Sequence, residues 1–268
     1  MPLGFSVEAL VPGARVSDPP RMGLVRLGES EWLDPVPDLA ARAAAFDAHP
    51  DSVLVTPEAE PGIAELANLL GVPGGIEACA RSVWEDLCIM VQPAPGEPFR
   101  LAAAAVGFPT DWRIAEKLGQ PVHAVHAPIP GYAQYLASGV DKFMNGLQSF
   151  NLFGRNNAFV VPSGNLRYMP EAPMAQRFAH VTAENAGDTL FVRCEREALR
   201  RLPRSRAIVF TIGIYVEPLH ALSDAAVTHI ASSLAGFGEA ELERRGASHY
   251  GAALAHYAAA RAGNRQAA

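Results

Sequence analysis

The run Ala207 to Val216 (AIVFTIGIYV) is nearly all β-branched or aromatic, which predicts a long strand and commits the chain to building a sheet around it. A second strand is predicted at Thr189 to Glu195, and between the two Glu197 to Leu202 reads as one or two helical turns ended by Pro203. Val83 to Val91 and Arg100 to Gly107 read as a hairpin, because the Pro93-to-Pro98 stretch joining them is a poor donor to any ladder. Ser52 to Val55 and Asn157 to Val161 add shorter strands.

Helical patterns flank this β-rich middle. Asp38 N-caps an alanine-rich helix to Phe46, Glu60-Pro61 opens a helix Gly62 to Leu70, and Asp111 is placed to cap Trp112 to Leu118. Tyr135 to Phe150 offers Leu136, Val140, Phe143, Met144 and Leu147 at helical spacing, and Asp224 to Arg261 is again alanine-rich. Helices, then four or five strands, then helices indicate α+β with an antiparallel sheet. The division expected is an N-terminal arm over 1–30, a main domain over 31–235 and a C-terminal helical extension over 236–268.

Composition excludes several classes of function. A net charge of -6 with no basic block argues against nucleic acid, and no apolar run approaches the roughly 18 residues of a membrane span. Three cysteines without a CxxC pair favour neither a disulfide framework nor a zinc site, and no secretory leader is recognisable, so the expected location is the cytoplasm. There is no GxGxxG after a strand, no phosphate loop, no HExxH and no GxSxG. Redox chemistry in this chain would therefore need electrons from a separate protein or from the substrate.

His123 and His126 run into Ala127-Pro128-Ile129-Pro130-Gly131. The prolines predict stiff, non-helical backbone at His126, and an extended Val122 to Ala127 would send the two imidazoles to opposite faces. They would then not share one metal ion. A histidine facing an apolar cavity can supply one axial bond to a haem iron, although on spacing alone a core or turn histidine is the commoner reading.

Four strings recur in a telling order: Trp84 to Cys88; Phe108 to Trp112 with Glu116 to Gly119; His126 to Tyr132; and Glu195-Arg196 through Arg201-Leu202-Pro203-Arg204-Ser205 to Ile212. Together they resemble the haem-dependent oxidative N-demethylase alpha-subunit family over about residues 30–235. The resemblance implies a PAS-like antiparallel sheet enclosing a b-type haem, with His126 as the iron ligand and His123 as the fallback. It also points to Arg155, Asn157, Glu195 and Arg196 as groups around bound oxygen and to Arg204 or its neighbours as partners of the haem propionates, while the helical stripe that carries Phe143 reads as core that can also serve as a cofactor wall.

Three positions depart from the family pattern: Ala158 for a tryptophan, Glu197 for a glutamine and Gly213 for an arginine. If all three line the pocket, it is larger and more negative, and Glu197 or Glu195 can receive a cationic substrate. The expected reaction is then N-hydroxylation of a guanidine or amine such as L-arginine. Oxidative N-demethylation of a small methylamine is the alternative, and a haem-based gas or redox sensor without turnover is a third reading. Expected partners are the small cationic substrate, O2 or peroxide and a separate reductase, with room for a homo-oligomer.

Overall fold

The computed structural model describes residues 3–14 and 19–266; residues 1–2, 15–18 and 267–268 of the expected arm and tail lie outside them. Seven strands form one antiparallel sheet: β1 (Val25–Leu27), β2 (Val53–Val55), β3 (Asp86–Val91), β4 (Arg100–Ala105), β5 (Leu152–Val161), β6 (Phe191–Arg201) and β7 (Ile208–Pro218), in the order β1-β5-β6-β7-β3-β4-β2. The α+β expectation holds, and β3 and β4 pair as the proline turn requires. The long hydrophobic run is β7, held between β6 and β3.

The helices are α1 (Val7–Leu10), α2 (Leu39–Ala48), α3 (Glu60–Leu70), α4 (Ile76–Arg81), α5 (Ile114–Lys117), α6 (Val122–Val125), α7 (Ala137–Gly146), α8 (Met174–Arg177), α9 (Ala186–Thr189), α10 (Asp224–Ser233), α11 (Glu239–Arg244) and α12 (Gly251–Gln266). Strand alternation divides most of them between two main cores, beside a small third cluster of Trp84, Phe108 and Ile214. On one face Leu87, Ile89, Val192, Cys194, Ala198 and Val209 pack with residues from α1, α3, α4, α10 and α12 in the larger core. On the other, Cys88, Met90, Leu101, Ala104 and Ile208 meet Ile114, Val122 and Met144 in a smaller one.

Two local expectations are overturned. Glu197 to Leu202 is not helical: β6 continues to Arg201, because each of these residues has ladder partners on β5 or β7, and Arg196 and Ala198 turn inward while Glu197 turns to the opposite face. Nor is the chain extended before His126. Val122–Val125 is a single helical turn with Pro121 at its N-cap, where a missing N–H costs nothing, and Pro128 and Pro130 fall beyond it. Smaller differences follow the same logic. Asp111 takes φ +54 and does not cap a helix, β1 adds an edge strand from the expected arm, and Tyr132–Leu136 forms a π-helical turn before α7.

Candidate functional site

Between the smaller-core face of the sheet and α5, α6, the π turn and α7 lies a cavity of about 890 Å³. Cys88, Met90, Leu101, Leu199, Phe210 and Ile212 form its sheet floor, with Val140, Phe143 and Met144 on the helical side. Phe143 meets Phe153 edge-on at 5.3 Å. Pro20 to Leu24 and Phe237 to Arg245 also contribute to the wall, so both flanking segments help to enclose it.

His126 sits at the C-terminal end of α6 with its ring at the cavity wall. Its Nδ1 lies 2.8 Å from the Val122 carbonyl, so Nδ1 carries the proton and Nε2 keeps its lone pair. Burial lowers its pKa, and the Lys117 and Arg155 charges act in the same direction, keeping the imidazole neutral. The turn that follows is shaped by Gly131 at φ +75, where a Cβ would stand 2.9 Å from the Tyr135 ring. It brings Tyr132 back against His126, the rings stacked 4.7 Å apart at 7°. The Tyr132 hydroxyl is buried and has no hydrogen-bond partner. His123 is exposed and does not line the cavity.

Opposite the apolar groups, β5 and β6 place Arg155, Asn157, Glu195 and Glu197 on the same wall. Asn157 Nδ2 donates to Glu197 Oε1 at 2.9 Å, Arg155 Nη2 donates to Asn157 Oδ1 at 2.6 Å, and Arg155 Nε lies 3.5 Å from Glu197 Oε2. Burial raises the Glu197 pKa to about 7; the Arg155 charge opposes that rise and Glu195 adds to it. Its carboxyl can therefore hold or release a proton near neutrality.

The other residues singled out from the sequence go elsewhere. Arg196 is fully buried on the far face, donating to the carbonyls of Gly4, Glu31 and Trp32, with its guanidinium over the Phe5 ring. Arg204 is 76% exposed and pairs at 3.6 Å with Glu65, which also accepts from the Arg204 and Ser205 amides. Of the three departures only Glu197 lines the cavity. Ala158 packs against the larger core, and Gly213 lies on the side of Glu85 and Tyr215. The expected widening at those two positions is therefore absent, since alternate residues of a strand face opposite ways.

Sequence reasoning gave no role to two polar groups of this wall. Lys117 donates to the Val125 carbonyl at 2.7 Å and braces α6, and Tyr132 covers the His126 ring. Both lie inside the quoted strings, which was the available signal. Among the described residues no cluster of three or more His, Cys, Asp or Glu could hold a metal ion, and no helix is long and apolar enough to cross a membrane.

A lone neutral histidine in an apolar cavity suits an iron that brings its other ligands with it. No curated protein matches the chain. The family model described as haem-dependent oxidative N-demethylase, alpha subunit-like, matches residues 74–255, a span that includes the His126 turn, both carboxylates and β3 to β7, and the chain belongs to that family.

Proposed function

We propose that this protein binds a b-type haem through His126 Nε2 and removes an N-methyl group from a small cationic amine in the cavity beside it. The observation that carries the reading is the His126 geometry: Nδ1 is committed to the Val122 carbonyl, and Nε2 is left at the wall of an apolar cavity of about 890 Å³. That volume is within the roughly 300–1,000 Å³ of cofactor and ligand pockets. The donor set fits as well, because one imidazole suffices where a porphyrin provides four nitrogens.

Bound there, haem supplies an iron that activates O2 or peroxide, and with O2 the electrons come from a separate reductase. Overall, the methylamine and O2 take two electrons and two protons and yield the demethylated amine, formaldehyde and water. The chain's own groups bind and orient. Glu197 receives the substrate ammonium, while Asn157 and Arg155 hold that carboxyl in place. Glu195 adds a second negative charge on the same wall. Phe143, Phe210 and Ile212 exclude water, which strengthens these charge contacts. In this reading residues 31–235 form the PAS-like cofactor-binding unit, and Pro20 to Leu24 and Phe237 to Arg245 of the flanking segments complete the wall.

N-hydroxylation of a guanidine such as L-arginine loses its main support, since Ala158 and Gly213 face away from the cavity and do not enlarge it. Family membership favours demethylation. The test is reconstitution with haem, followed by turnover of a small N-methylamine and of L-arginine with reductant and O2. Formaldehyde in step with methylamine loss supports the proposal. An N-hydroxy product from arginine without formaldehyde restores the other reaction, and a protein without a Soret band overturns the cofactor assignment.

A further inference from the structure

Tyr132 ends the string that begins at His126, and none of the roles above uses its hydroxyl. The residue is 4% exposed, lines the cavity, and leaves its oxygen buried and unpartnered. Buried polar atoms without partners are rare, and each calls for an explanation. The residue also opens a π-helical turn, a device common at functional sites.

Arg155 lines the same cavity from β5. Its Nη2 and Nε serve Asn157 and Glu197, whereas its Nη1 makes no hydrogen bond among the described residues. Its charge is felt at both His126 and Tyr132. The other charged group felt at Tyr132 is Asp141, which does not line the cavity.

We propose that the Tyr132 hydroxyl and the Arg155 guanidinium form a carboxylate-binding pair beside the His126 ring, and that this pair receives a propionate of the haem. The proposal rests on the haem reading above. A phenol O–H donor together with a guanidinium suits one ionised carboxylate. The pair takes over a role that exposed Arg204, on Glu65, does not fill.

Porphyrin esters separate this role from a merely structural one. Apo-protein, wild type and Tyr132→Phe, is titrated with haem and with haem dimethyl ester, whose propionates carry no charge. The expected result is that Tyr132→Phe weakens haem binding about tenfold and leaves ester binding at the wild-type level, which also reports that the variant is folded. Equal loss of both ligands, or no loss of haem, overturns the carboxylate pair. Failure of the wild type to bind either ligand overturns the haem reading itself, an outcome distinct from the other two.

Discussion

Asn157 reaches diagonally across the β5–β6 ladder to donate to Glu197 at 2.9 Å, although its own register partner is Glu195. The bond favours the ionised carboxyl and holds Oε1 on Asn157 while Oε2 lies toward Arg155. Asn157→Leu removes it without removing the charge. The Glu197 pKa should rise further, and KM for a cationic amine at pH 7 should increase about tenfold with a smaller change in kcat. A KM that does not move would show that Glu197 needs no partner to bind the amine.

Glu197 also makes stability depend on pH. Its folded pKa of about 7 lies above the ordinary 4.5, so the folded state holds the proton more tightly than the unfolded one. The contribution to stability is full below pH 4.5 and is lost as pH rises through about 7. Glu197→Gln should therefore match the wild type near pH 4 and exceed it at pH 8, by about 3 kcal/mol at most. Urea melts at the two pH values measure the difference. Glu85, also raised to about 7 by burial, supplies the same trend in both proteins and cancels.

Of the two histidines, only His126 should govern haem retention. His126→Ala is expected to lose the wild-type Soret position and to bind haem about 100-fold more weakly, and added imidazole should restore the spectrum. His123→Ala, at an exposed position, should leave it unchanged. Absorption spectra of the three proteins with equimolar haem decide this.

Arg196 is expected to behave as a structural residue. Replacing it by Met strands the Gly4, Glu31 and Trp32 carbonyls that it now serves and should cost about 2–4 kcal/mol, read from the urea midpoint. Protease sensitivity near the N-terminus should rise with it. The haem spectrum of the folded fraction should stay that of the wild type.

The strands β3, β4 and β7 are legible in the sequence because punctuation and β-branched content agree there, and Asp38 and Glu60-Pro61 mark α2 and α3 equally well. Glu197 to Leu202 is misread because its composition suits a helix, while pairing with β5 on one side and β7 on the other decides the outcome, and those partners lie far off in sequence. The same ignorance of facing made Ala158 and Gly213 look like pocket residues. His126 was singled out by its string, whereas its tautomer depends on a helical turn that the two following prolines concealed.

Arg196 and Glu197 are neighbours on β6 that serve opposite sides of the sheet, a guanidinium anchoring the N-terminal segment and a carboxyl facing the cavity. The strand therefore works as a charge sorter whose output depends on reading frame along the ladder. Deleting one residue upstream of Arg196 within β6 would exchange the two roles, turning the cavity cationic and burying a carboxylate against backbone carbonyls. The cavity and the anchor thus share one spacing, so a change of length in this strand disturbs both, whereas a substitution at either position disturbs one.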